Sequence, residues 1–178
     1  QLDDCWPVVS WAVVDSALRP KAALAAIRRE LAPLAVGLMH EGHGAAVWAV
    51  NATPEPVAAT LELRRCALAG AVELLERREV TLPPLAATEL GAVSVAGEAV
   101  LAARLLRGDE ALARAALWPE PLKHLHLPDP GLSVTSLGDD RVELRVARPA
   151  KGVILDGGDG VAWADNYLDL LPDEPRTI

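Results

Sequence analysis

The side chains in this sequence that could do chemistry fall in a few short clusters, each with a plainer structural reading beside it. His40-Glu41-Gly42-His43 brings two imidazoles and a carboxylate close together, donor types that suit zinc. The spacing is not the helical HExxH of zinc hydrolases, and the flanking glycines place it on a solvated hairpin tip with no third ligand. His124 and His126 sit at strand spacing on one face, with the same missing partners. Asp156-Gly157-Gly158-Asp159-Gly160 resembles a calcium loop, yet it lacks the further oxygen ligands and closing Glu of an EF-hand. A hairpin turn is the expected reading there. Cys5 and Cys66 lie far apart and have no neighbouring His to make either a nucleophile. Both are expected to be buried free thiols. No glycine-rich phosphate loop occurs. No metal and no cofactor are expected.

The elements around these clusters change character once along the chain. Residues 19–31, RPKAALAAIRREL, read as a helix. Pro20 suits its first turn, Leu24, Ile27 and Leu31 recur on one face, and Arg28 and Arg29 complement the C-terminal end of the dipole. Pro33 stops it. Beyond Pro33 the period falls to two. Strands are expected at 34–39, 45–51, 57–66, 71–82, 86–95, 99–107 and 111–118, with Leu61 and Leu63 inward and Thr60, Glu62 and Arg64 outward. Short strands with turn signals at this spacing indicate an immunoglobulin-like antiparallel β-sandwich. The proline-rich stretch Trp118 to Lys123 then reads as an extended linker. Past it, Val134–Leu137, 141–147 and Gly152–Asp156 are expected strands, with Val142, Leu144 and Val146 inward. The fold class is therefore mainly β, preceded by one α-helix.

Bulk properties narrow the function classes. A chain of 178 residues has room for one domain or two small ones, and 51% hydrophobic with 24% charged residues is a soluble globular balance. The net charge of −8 argues against nucleic acid and against anionic membrane surfaces. No apolar run approaches a membrane span. Abundant Ala and Leu with no Phe suggest a GC-rich bacterial genome, hence an expectation that leans toward the bacterial cytoplasm. The first residue is Gln1 and the only Met is Met39, so translation is expected to start upstream.

Three blocks carry a resemblance. The first is Gln1-Leu2-Asp3-Asp4-Cys5-Trp6-Pro7, with Ser10-Trp11, Val14-Asp15 and Arg19-Pro20-Lys21-Ala22. The second pairs Trp48-Ala49-Val50-Asn51 with Ala59-Thr60-Leu61-Glu62-Leu63-Arg64. The third joins Pro121-Leu122-Lys123 and Leu125 to Leu132 with Asp165 to Thr177. Together they resemble the end of the catalytic (β/α)₈ barrel and the following immunoglobulin-like domains of β-mannosidases in glycoside hydrolase family 2. Departures from the family pattern are Asp3 for Asn, Leu168 for Phe and Asp173 for Gly. The last matters locally, because a turn of positive φ suits Gly better than Asp.

The resemblance implies residues 1–32 as the tail of the barrel, 33–119 as one sandwich, and 120–178 as a second, smaller β domain, expected to be short or truncated because a full sandwich calls for strands after Thr177. It implies a non-catalytic accessory piece of a retaining enzyme acting on terminal β-mannosides, with both catalytic Glu residues upstream. The partners implied are the upstream barrel and, through the parent, a carbohydrate substrate. Sugar rings stack on Trp and their hydroxyls bond amides and carboxylates, so Gln1, Asp3, Asp4 and Trp6 are candidate substrate-lining residues of the parent, with packing at the barrel end as the alternative. Trp11 and Trp48 are expected in the core. Tyr167, the single Tyr, is expected to tie a sandwich corner through its hydroxyl. A carbohydrate-binding module is the rival reading, with Trp48, Trp118 and Trp163 available, and a planar row of exposed Trp would favour it. A generic adhesion domain would have no use for the barrel-end segment.

Overall fold

The computed structural model describes residues 1–94, 97–158 and 161–178. Asp159 and Gly160 of the calcium-like loop and Val95 at the end of an expected strand lie outside them. The helix is α1 (Ala22–Glu30), so Pro20 precedes it instead of lying in its first turn. None of its residues is buried, and Leu31 just beyond it is exposed.

The seven expected strands of the first sandwich all form: β1 (Leu34–Glu41), β2 (Gly44–Asn51), β3 (Val57–Ala67), β4 (Val72–Leu82), β5 (Ala86–Ser94), β6 (Ala99–Arg107) and β7 (Glu110–Leu117). They make two antiparallel sheets, ordered β1-β2-β5 and β4-β3-β6-β7. Alternation delivers Val47 and Ala49 of β2, Leu61 and Leu63 of β3 and Leu105 of β6 to the space between the sheets, where burying aliphatic side chains drives association. Asn51 is fully buried in this sandwich, and its amide donates to the Glu55 and Leu82 carbonyls.

The second unit is smaller. Strands β8 (Ser133–Gly138), β9 (Arg141–Arg145) and β12 (Arg176–Thr177) form one sheet in the order β12-β9-β8, and β10 (Ala150–Val153) pairs with β11 (Leu168–Leu170). Leu144, Ala150, Leu168 and Leu170 fill its core. The linker contains a 3₁₀ turn at Leu122–His124, so His124 is not at strand spacing with His126 as expected.

Two expectations about faces are overturned. Glu62 and Arg64 do not face solvent: each is only 5% exposed, because the segment leading into β12 covers the outer face of β3 and β6. Trp48 does not enter the core. Val47 and Ala49 take the inward positions of β2 and leave the indole outward, 37% exposed, opposite Gly37 and Glu89.

Candidate functional site

The densest set of specific contacts lies where the second unit packs on the first sandwich. Cross-strand register puts Arg77, Glu62, Arg104 and Arg114 in a row across the outer face of the four-stranded sheet. Two residues along β3 stands Arg64, and beyond it an apolar patch of Cys66, Val100 and Ala102. The turn between β11 and β12 is complementary to both. Its Leu171 joins the apolar patch, and its Glu174 carboxylate enters the arginine row. Arg114 Nε donates to Glu174 Oε1 at 2.6 Å and Arg64 Nη2 to Glu174 Oε2. Glu62 accepts from Arg104, with Arg77 Nη1 at 3.6 Å on its other oxygen. Burial opposes ionisation of Glu174, but the guanidiniums of Arg64, Arg104 and Arg114 outweigh it and hold the carboxyl below the usual glutamate range. Burial pushes the Cys66 thiol up, which makes it inert packing.

Three further contacts close the junction. Trp118, 4% exposed, donates its indole N–H to Asp169 Oδ2 at 2.8 Å, and Lys151 lies over its ring at 5.2 Å. Asp169 also accepts from the Gly152 amide at 3.0 Å and from Lys151 at 3.2 Å. Gly70, at φ +107°, brings the β3–β4 turn against Ala147, where an added Cβ would lie 2.4 Å from a carbonyl oxygen. From the N-terminal side, Arg28 donates to the Ala164 carbonyl at 2.9 Å, and Arg29 reaches Asp165 Oδ1 at 2.6 Å and the carbonyls of Asn166 and Tyr167.

Within the third sequence block, residues 165–174 mix contacts that hold the junction with contacts inside the second unit. Asp165 holds Arg29, and Asn166 exchanges two 2.8 Å bonds with the Leu155 main chain. Leu168 and Leu170 enter the core, Asp169 holds Trp118, and Glu174 holds the arginines. Asp173 does sit at positive φ, +59°, as the Gly of the family pattern implied. Tyr167 ties its corner differently from the expectation. Its amide donates to Asn166 Oδ1 and its carbonyl accepts from Arg29, while its hydroxyl has no hydrogen-bond partner among the described residues.

The N-terminal candidates divide. Asp4 is buried, accepting from Ser10 Oγ at 2.5 Å and Lys21 Nζ at 2.7 Å. Those bonds, Lys21 first, lower its carboxyl below the ordinary value. Gln1, Asp3 and Trp6 are exposed, and Asp3 bridges to Val14 in the main chain. Trp11 is 86% exposed and Cys5 is exposed, against the expectation of burial. Around them Leu2, Val8, Val9 and Leu18 are exposed as well. Local sequence marks these side chains as apolar, and no element among the described residues buries them.

The other chemical candidates are spread out. Gly42, at φ +56°, turns the β1–β2 hairpin, and His40 Nε2 donates to the Trp118 carbonyl at 3.1 Å. No group of three or more His, Cys, Asp and Glu able to hold a metal occurs among the described residues. Likewise, no helix among them is long and apolar enough to cross a membrane. The planar Trp row of a sugar platform is not formed either, since Trp118 is buried and the Trp163 indole nitrogen is buried without a partner. The Glu62–Arg64–Glu174 cluster escaped the sequence reading. Glu62 and Arg64 occupy the polar positions of an alternating strand, so nothing local marks them as buried.

Comparison with known proteins agrees with this architecture. The Mannosidase Ig/CBM-like domain matches residues 43–124 and the Ig-fold domain of mannosidases matches residues 127–178. Beta-mannosidase B of Emericella nidulans is 34% identical over 202 residues, and that of Aspergillus niger is 34% identical over 204. Each match takes in all of this chain but only 24% of the relative, so the chain spans about a quarter of the curated relatives' length. Among solved structures, the β-D-mannosidase of Dictyoglomus thermophilum superposes with a TM-score of 0.88 at 21% identity, covering 100% of this chain and 23% of that one. The exo-chitosanase of Amycolatopsis orientalis gives 0.72 at 17% identity, covering 99% and 26%. At those identities the likeness is one of fold. Domain matches and homology along its whole length make this chain a homologue of the C-terminal, immunoglobulin-like portion of the β-mannosidases of glycoside hydrolase family 2.

Proposed function

We propose that this chain is the accessory C-terminal portion of a β-mannosidase-like glycoside hydrolase, organised as residues 1–32 closing the catalytic barrel, 33–119 as the first sandwich and 120–178 as the second β domain. The observation that carries this is the contrast within the N-terminal segment. Leu2, Trp6, Val9 and Trp11 are exposed together, while Arg28 and Arg29 fasten the following helix to the second unit. Large apolar side chains exposed within one short segment suit an interaction site, and the upstream barrel of the same polypeptide is the occupant that the resemblance supplies. The sandwiches brace that barrel through α1. Within the parent, Gln1, Asp3 and Trp6 face the mouth of the substrate site, and Asp4 holds their loop from behind through Ser10 and Lys21. The parent hydrolyses terminal β-mannosides with retention, using a carboxylate pair carried upstream.

The test is an aryl β-mannoside assay on three samples: the purified chain, the full-length protein, and a mixture of the chain with the separately produced upstream portion. Turnover is expected from the full-length protein, and from the mixture if docking occurs in trans. Turnover by the chain alone would overturn its non-catalytic assignment. A full-length protein that cleaves some other glycoside and no mannoside would overturn the substrate.

A further inference from the structure

Two clefts of about 260 and 150 Å³ open along the edge where β1 meets β7, and Arg29, Glu30, Arg114 and Arg176 line both. The larger is floored by Gly37, Ala103, Ala115 and Ala116, residues too small to fill it. A guanidinium carries five N–H donors, and the three arginines spend theirs unequally. Arg29 is committed to Asp165 and to the Asn166 and Tyr167 carbonyls. Arg114 uses Nε on Glu174 and Nη1 on the Ala111 carbonyl at 3.3 Å, and its Nη2 has no partner among the described residues. Arg176 has a side chain only 17% exposed and makes a single long bond, Nη2 to Asp165 Oδ2 at 3.4 Å.

The carboxylates nearby are largely taken. Glu174 is held by Arg64 and Arg114, and Asp169 by Trp118, Lys151 and Gly152. Glu30, on the exposed rim, is the one carboxylate that lines both clefts and has no ion pair among the described residues. The free donors of Arg114, an exposed residue, and of Arg176 are open to the clefts they line, and a guanidinium fork matches an oxyanion in shape and charge.

We propose that this cleft binds one small oxyanion, a carboxylate or a tetrahedral phosphate or sulfate, between Arg114 and Arg176. Burial first, and then the charge of Arg114, hold Arg176 below the ordinary arginine value. An anion between the two offsets the repulsion between their charges. The site is closed by elements of the first sandwich, α1 and the 168–176 segment, so it exists only when the junction is assembled.

The experiment is isothermal titration of the full-length protein with sulfate, phosphate and succinate in a chloride background of fixed ionic strength. Saturable one-to-one binding of at least one anion is expected. Tighter binding of sulfate or phosphate identifies an inorganic ligand, and tighter binding of succinate an organic acid. Arg176→Gln should weaken binding roughly tenfold or more, the loss expected for a charge-assisted hydrogen bond, and Arg145→Gln, an exposed arginine paired with Glu143, should leave it unchanged. Arg176→Lys keeps the charge without the fork and should bind more weakly while remaining folded, which preserves the test should the Gln variant unfold. Absence of saturable binding in the wild-type protein, or wild-type affinity in a folded Arg176 variant, would overturn the proposal.

Discussion

Arg114 Nε and Glu174 Oε1 stand 2.6 Å apart across the junction, and with Arg64 on the other carboxylate oxygen this one side chain couples the second unit to two strands of the first. Removing one partner of a buried ion pair leaves the rest uncompensated. Glu174→Gln should therefore lower stability by about 3–5 kcal/mol, read from urea unfolding midpoints. A change below about 1 kcal/mol would mean that the cluster behaves like a solvated surface pair.

Acid should open the junction. The folded-state pKa of Glu174 is depressed, so its contribution is fully present above the ordinary glutamate value of about 4.3 and is lost as pH falls through the lower folded value. Melting temperature measured from pH 6 downward should drop across that window in the wild type and drop less steeply in Glu174→Gln. Parallel acid limbs in the two proteins would count against the assignment.

Trp118→Phe keeps most of the apolar contact with Leu171 and deletes the indole N–H bond to Asp169. Asp169 retains Gly152 and Lys151, so the expected loss is about 1–3 kcal/mol. Chemical denaturation of the variant decides it, and an unchanged midpoint would show that the bond contributes nothing net.

Gly70 has no room for a methyl group. Gly70→Ala combines a φ of +107° with a 2.4 Å approach to the Ala147 carbonyl oxygen, and should cost about 1–3 kcal/mol from overpacking, before backbone strain is added. Gly108, which turns between β6 and β7 with nothing within 4 Å of an added Cβ, is the control. Its Ala variant should carry only the strain of positive φ, and equal losses at the two sites would exclude the steric effect.

Asp173→Gly is expected to stabilise. The residue holds φ +59°, where a non-glycine side chain costs roughly 1 kcal/mol. A rise in melting temperature worth a few tenths to about 1 kcal/mol should follow. A fall would show that Asp173 makes up for its backbone conformation.

The strands were readable because their signal is local. Leu61 and Leu63 alternate with polar neighbours, Leu144 sits in a clean period of two, and Gly42 and Gly70 mark hairpins. What failed was any inference about which surface gets covered, and by what. Glu62 and Arg64 look solvent-facing on β3, and they are buried only because Glu174, over a hundred positions away, supplies both cover and charge. Trp11 and Trp48 look like core residues, since an indole carries no local mark of the partner that will cover it. In the third block the backbone role of Tyr167 lay hidden behind its more conspicuous hydroxyl, while the positive φ of Asp173 was visible as a missing glycine.

The span from Arg29 to Asp165, 136 positions along the chain, has a consequence for how the protein is made. Contacts that close so long a loop pay their ordering entropy late, and ribosomes release the N-terminal part first. Until residues 165–176 emerge, β3 and β6 display bare arginines beside an uncovered apolar patch, and α1 has nothing to hold. Segment 165–176 thus covers, late in synthesis, a face of the first sandwich that Glu174 and Leu171 seal in the folded chain.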